Sequence, residues 1–207
     1  MKPTIRILVV DDHAITRFGI ISLLNIEPDF TVVGQADDGE TAISAAKQLH
    51  PDVIIMDLMM PNVDGLEATK QILKILPDAK ILLLTTFGGA DSIGHALEAG
   101  ATGAIMKNAD TSDFPTIVRD IATGKRVIDP AIEKMLTDSP PVPNLTDRQK
   151  AILLSVTRGL SNKDIAVQFD ISVDCAKDHV NTILAKIGAA TRAEAVAIAL
   201  KKHLLKI

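Results

Sequence analysis

Val53-Ile-Ile-Met-Asp-Leu-Met-Met-Pro-Asn-Val-Asp-Gly65 decides the fold of the first half of this chain. It is an unbroken apolar run that ends on a carboxylate, followed by a loop carrying Pro61, Asn62 and Gly65. A run with no polar alternation reads as a strand covered on both faces, which belongs to a parallel sheet flanked by helices. The same grammar recurs on either side. Strand-like runs fall at 5–10, 31–34, 80–84 and 102–106, and stretches of helical period at 14–25, 39–49, 65–76, 90–99 and 111–123. Five repeats of strand then helix imply an α/β domain with a parallel five-stranded sheet and right-handed crossovers. The expected strand order is the doubly wound 2-1-3-4-5.

The texture changes after Gly124. Val142 is flanked by Pro140, Pro141 and Pro143, so 125–143 reads as a stiff linker, with room for a short helix near 129–137. From residue 144 no strand candidate appears. Four helical segments follow, with Thr146, Ser161, Ser172 and Thr191 as caps, and Thr146-x-x-Gln149 has the capping-box pattern. The second and third, 162–169 and 173–187, are separated by a three-residue turn, which is helix-turn-helix spacing. In the third, Val173, Ala176, Val180, Ile183 and Ile187 share one face, and Asp174, Lys177, Asp178 and Asn181 lie opposite. The chain thus divides into an α/β domain at 1–124, a linker at 125–143 and a small all-α four-helix domain at 144–207.

Charge divides at the same place. Residues 1–143 hold 12 Lys+Arg and 20 Asp+Glu, and residues 144–207 hold 10 and 6, within an overall net charge of −4. A basic helical domain tethered to an acidic one points to nucleic acid as a partner. Absence of Trp and Tyr, with Phe only 5, argues against a base-stacking platform for single strands. The single cysteine, Cys175, excludes an intramolecular disulfide and a Cys-rich zinc site, and reads as a half-buried packing residue. His179 has no second ligand at metal spacing. No apolar run approaches the roughly 20 residues needed to span a bilayer, and Asp11 and Asp12 arrive before a signal-peptide core could form. A cytoplasmic, membrane-free protein is expected.

Chemistry concentrates at the carboxyl ends of the strands, where open parallel sheets bind ligands. Asp11 and Asp12 follow the first strand, Asp57 ends the third, Thr85 the fourth and Lys107 the fifth. Converging carboxylates repel, and keeping them ionised calls for a cation; all-oxygen ligands favour Mg²⁺. One carboxylate can then serve as a nucleophile on phosphorus. Lys107 and the Thr85 hydroxyl are placed to meet phosphoryl oxygens. Met56, Met59, Met60 and Met106 read as strand-end packing.

These residues carry a resemblance. Val9-Val-Asp-Asp-His13, Met56-Asp-Leu-Met-Met-Pro-Asn-Val-Asp-Gly65, Leu84-Thr-Thr86 and Met106-Lys107 are similar to the flavodoxin-like receiver domain of bacterial two-component response regulators. Leu145-Thr-Asp-Arg-Gln149, Gly159-Leu-Ser-Asn-Lys-Asp-Ile-Ala166, Lys177-Asp-His179, Leu184-x-Lys-Ile-Gly188 and Arg192-x-Glu-Ala195 resemble a LuxR-type helix-turn-helix. Together they place the chain with the NarL/FixJ branch. The resemblance implies that Asp57 accepts a phosphoryl group from a sensor histidine kinase. It implies that Asp12 and Asp57 bind Mg²⁺ directly, Asp11 through water, and the backbone carbonyl of Met59 as a further ligand. Thr85 and Lys107 would read the phosphoryl group, and Met59 and Phe87 would shield it. Gly65 is expected to supply a backbone angle other residues avoid, and Asn62 to tolerate positive φ where the family often has Gly.

The resulting expectation is a phosphorylation-controlled regulator that is not a metabolic enzyme. It would dimerise when phosphorylated and bind promoter DNA through Lys163, Lys177, Asp178 and Asn181. Asp174 and Asp178 on that face motivate a rival, a receiver-gated protein-interaction module with weak or no DNA binding. Ala104 stands where many receivers carry Tyr or Phe. The expectation there is that nothing large fills the space Thr85 leaves on moving toward phosphate, that the signal runs through the loop bearing Gly88 and Gly89, and that Ala104→Tyr disrupts it far less than Gly88→Pro or Gly89→Pro.

Overall fold

The computed structural model describes residues 4–86, 90–108, 113–142, 145–202, 204 and 205. Two compact units emerge, Met1–Pro140 and Pro141–Ile207.

In the first unit the strands are β1 (Ile5–Val10), β2 (Phe30–Ala36), β3 (Val53–Asp57), β4 (Lys80–Thr85), β5 (Gly103–Met106) and β6 (Val127–Ile128). All neighbours are parallel, in the order β2-β1-β3-β4-β5-β6. The helices are α1 (Ala14–Leu24), α2 (Gly39–Leu49), α3 (Gly65–Ile75), α4 (Ala90–Glu98), α5 (Phe114–Ala122) and α6 (Pro130–Asp138). Successive strand residues point to opposite faces, so both faces are apolar. Leu8, Val10, Ile54, Met56, Ile81 and Leu83 share one buried cluster with Ala42, Ala46, Ile72 and Ile93 of α2, α3 and α4. Ile7, Val9, Val53, Ile55, Leu82 and Leu84 form the other with Ile20, Leu24, Val118 and Ile121 of α1 and α5. Arg119 of α5 donates from Nε and Nη2 to both carboxylate oxygens of Asp29, 2.8 and 2.7 Å away, and stacks 4.8 Å over Phe30, which ties α5 to the start of β2.

The sheet has six strands, not five, and the supposed linker from 125 is largely folded structure. Val127 and Ile128 pair with Gly103 and Ala104. A Cβ on Gly103 would lie 2.4 Å from the Val127 carbonyl oxygen, so glycine is what lets β6 approach. Asp129 then caps α6, accepting from the Ala131 N–H at 2.8 Å, and Pro130 opens the helix where an N–H would be orphaned. Ile132 is fully buried in the same cluster as Ala104, with Met135 and Leu136 packed against it. Ala104 is therefore walled in and fully buried. Ala104→Tyr would overpack the core.

The second unit contains α7 (Asp147–Thr157), α8 (Asn162–Phe169), α9 (Val173–Ile187) and α10 (Arg192–Lys201). Each expected cap is made. Thr146 with Gln149 and Ser161 with Asp164 form reciprocal capping boxes, while Ser172 and Thr191 accept from the N–H groups of Cys175 and Glu194. Asp170 takes a left-handed conformation, φ 51°, that ends α8 and turns the chain into α9. Ala176, Val180, Ile183 and Ile187 of α9 are buried against Ile152, Leu153, Val156 and Ile165. Val173, expected on this face, is exposed, because it sits in the first turn at the helix end.

Candidate functional site

The carboxyl edge of the sheet gathers the acidic residues. Asp11 follows β1, Asp57 closes β3, and β1 and β3 are adjacent, with Val10 opposite Met56. Asp11, Asp57 and Thr85 are buried polar residues in a core otherwise almost wholly apolar. Lys107, just beyond β5, is held to β4 by its N–H, which donates to the Thr85 carbonyl at 2.7 Å. Its ammonium reaches back across the sheet edge and lies 2.7 Å from both Asp11 Oδ2 and Asp57 Oδ2. The other oxygen of Asp57 accepts from the Met59 N–H at 3.2 Å. Asp12 stands at the rim, a quarter exposed.

Electrostatics follow from burial. Loss of water pushes the Asp57 carboxyl above its usual range, against the pull of Lys107 and the Met59 N–H. Burial alone would depress Lys107, but hydrogen bonds to Asp11 and Asp57 outweigh it and raise its pKa. One ammonium thus pairs with two buried carboxylates, with Asp12 at the rim as a third. Oxygens of Asp11, Asp12 and Asp57, with a ring nitrogen of His13, all lie within 4.8 Å of one another. Surplus negative charge on a mainly oxygen donor set suits a hard divalent cation.

Gly65 is needed for a reason other than the expected one. It takes no left-handed angle. A Cβ there would lie 2.1 Å from the Asp57 carbonyl oxygen and 2.8 Å from Leu58 Cα. The glycine lets α3 begin against the strand that carries Asp57, and its N–H donates to the Leu58 carbonyl at 3.1 Å. Asn62 does adopt positive φ, 61°. Met59 is 56% exposed beside the site, so it is not packing, unlike Met56 and Met60. Phe87, Gly88 and Gly89 lie outside the described residues.

Two contributors went unread in the sequence. The His13 N–H donates to Asp11 Oδ1 at 2.8 Å, and its Nδ1 is 2.6 Å from Asp12 Oδ1. Arg17, one turn along α1 from His13, donates from Nη1 to the Asp11 carbonyl and from Nε to Gln35 Oε1. The i, i+4 spacing after the acidic pair was the available signal.

In the second unit, Lys163 of α8 and Asp174, Lys177, Asp178 and Asn181 of α9 are all exposed, and His179 and Cys175 are half-buried. Positions 174, 177, 178 and 181 form one stripe along α9, opposite its buried face.

Residues 7–119 match the family model of the response regulator receiver domain. Residues 143–199 match that of the bacterial regulatory proteins of the luxR family. The chain is a response regulator. It combines a receiver with a LuxR-type DNA-binding domain, as in the NarL/FixJ branch. This response regulator is 38% identical to the response regulator protein VraR of Staphylococcus aureus, across 98% of this chain and 100% of that protein. It is 33% identical to ChrA, the response regulator of a heme-sensing two-component system, with a TM-score of 0.57 over 98% of this chain and 99% of that one. It shares the fold of RcsB in an RcsB–DNA complex, with a TM-score of 0.66 at 22% identity over 96% of this chain and 98% of that one. Among the described residues of the response regulator no helix is long and apolar enough to cross a membrane.

Proposed function

We propose that this response regulator accepts a phosphoryl group on Asp57 from a sensor histidine kinase in the cytoplasm and, once phosphorylated, dimerises and binds promoter DNA. The observation that carries the reading is the meeting of Asp11, Asp57 and Lys107 at one buried point, with the ammonium 2.7 Å from each carboxylate. A carboxylate oxygen of Asp57 attacks phosphorus, the bond from phosphorus to the donor's imidazole nitrogen breaks, and an acyl phosphate forms. Lys107 then shifts its ion pair to a phosphoryl oxygen, and Thr85, the last residue of β4, donates to another. The acidic donor set fits Mg²⁺, which supplies charge neutralisation when bound. Asp12, Asp57 and the Met59 carbonyl would hold it directly, and Asp11 through water.

In the second unit Lys163, Lys177, Asp178 and Asn181 form the DNA-reading set. The N-terminal half of α9 is the part of such a helix that meets base edges. Two copies double a small contact. Incubation of the full chain with acetyl phosphate and Mg²⁺, followed by intact mass, tests the first half. One phosphoryl group is gained by the wild type and none by Asp57→Asn. Gain by the Asn variant overturns the assignment. A gel shift on the regulator's own promoter region at rising salt tests the second. Steep weakening is expected, and no binding at any salt favours the interaction-module reading that Asp174 and Asp178 motivate.

A further inference from the structure

We infer that Asp178 is a base-specificity residue that selects cytosine in each half-site by accepting a hydrogen bond from its exocyclic amino group. The inference rests on the DNA-binding reading of the second unit.

The exposed carboxylates of this unit separate by whether the fold has a use for them. Asp164 closes the Ser161 capping box, and Ser161 holds its carboxyl below the usual range. Asp147 and Asp174 lie in the first turns of α7 and α9, and Glu194 in that of α10, where the helix dipole favours negative charge. Asp170 terminates α8. Asp178 does none of these. It lies in the second turn of α9, beyond the reach of the helix end, and it makes no hydrogen bond or ion pair among the described residues. Its neighbour one turn earlier is Asp174, a like charge at i, i−4, and its neighbour one turn later is Thr182. Lys177 shares the stripe but is adjacent in sequence, so it cannot make the facing i, i+3 or i, i+4 ion pair with Asp178. Aspartate is also a poor helix former in mid-helix. The fold therefore loses by having this carboxylate. So does general affinity, since the carboxylate sits on the stripe with Lys177 and repels phosphates.

A residue that costs both stability and affinity on a reading face earns its place through discrimination. An ionised carboxylate is acceptor-only. In the major groove, cytosine N4 offers the donor that carboxylates read; adenine offers its N6 donor only beside the N7 acceptor, which repels a second acceptor, and thymine and guanine present acceptors at their edges. Placing Asp178 against either acceptor buries an unpaired charge, so the wrong base is penalised as well as the right one rewarded. Asn181, one turn further on, continues the same stripe and has no such repulsion.

The experiment is selection of binding sites from a random duplex pool by the full chain treated with acetyl phosphate and Mg²⁺, in wild-type, Asp178→Ala and Asp178→Asn forms, with circular dichroism to establish equal helical content. The wild type is expected to enrich a two-fold symmetric site in which one position per half-site is cytosine, preferred roughly 10- to 100-fold over other bases. Asp178→Ala should lose preference at that position alone and bind random DNA several-fold more tightly. Asp178→Asn should shift it towards adenine, whose N6 and N7 match a carboxamide. Identical enriched sites for all three forms would overturn the inference while leaving the DNA-binding reading in place. A wild type that enriches no sequence would overturn both.

Discussion

Gly65→Ala is the sharpest test of how the acceptor is held. The added methyl would lie 2.1 Å from the Asp57 carbonyl oxygen, 2.8 Å from Leu58 Cα and 2.9 Å from the Asp57 carbonyl carbon. All three are backbone atoms, so no side-chain rotation relieves the clash. Restoring even a 3.0 Å contact requires about 0.9 Å of movement, either of the first turn of α3 or of the end of β3. Overpacking of this kind costs about 1–3 kcal/mol, and the gain from replacing glycine in a helix returns about 0.5–1 kcal/mol. A net loss of up to about 2.5 kcal/mol in a unit of this size lowers its melting temperature by up to roughly 10 °C. The larger effect falls on the chemistry. Asp57 moves relative to Lys107 and Asp11, and a displacement near 1 Å slows a positioned reaction by on the order of 10²-fold. Differential scanning calorimetry of the full chain, beside initial rates of phosphoryl uptake measured well below the transition, separates the two effects. A variant that melts with the wild type and takes up phosphate at the wild-type rate would refute the close-approach role of Gly65.

Three further outcomes follow from the same geometry. Because burial raises the Asp57 carboxyl, its ionised form weakens the fold: stability is greatest below the ordinary carboxylate pKa of about 3.9 and falls as pH rises through the raised value. Asp57→Asn should therefore melt above the wild type at pH 7 in chelator, with the gap closing towards acid pH; coincident melting curves across that range would contradict this. Ile132→Ala should cost the first unit about 2–5 kcal/mol, read from calorimetry or denaturant titration, since its side chain is fully buried, and an unchanged midpoint would show that α6 is not part of that unit's core. Lys177→Ala should weaken promoter binding by about 1–3 kcal/mol in a titration, and an unaltered affinity would remove it from the DNA-contact set.

The five long strands were legible as short β-branched runs alternating with helical stretches, and four of the five end at a residue with chemistry; their order came from the doubly wound pattern such alternation belongs to. The four caps of the second unit were legible because capping is a local act of Ser or Thr on an N–H two or three residues later. What escaped notice depends on distant contacts. Val127 and Ile128 are too few to show any period, and only pairing with Gly103 and Ala104 makes them a strand. The need for Gly65 lies in its distance from Asp57, which spacing alone cannot give, and a positive angle was the wrong reason for the right residue. Val173 obeyed the helical period but sits at an end where nothing covers it. Met59 followed an apolar run but turns outward with the loop. Met106 remains half-buried, at the point where β5 gives way to the site.

The sixth strand and its helix bear on how proteins of this architecture can be recombined. A chimera that joins this receiver to a foreign output domain would naturally be cut at Gly124, where the repeat of strand and helix stops. That cut leaves Gly103 and Ala104 with an open edge and removes Ile132, Met135 and Leu136 from the cluster beside β5. The donor half would arrive with an uncovered apolar flank and a bare strand, both invitations to self-association. The inheritable module ends instead at Pro140, after α6 has closed its own face. Exchange of output domains at the proline-rich joint preserves a self-sufficient receiver, and exchange sixteen residues earlier does not.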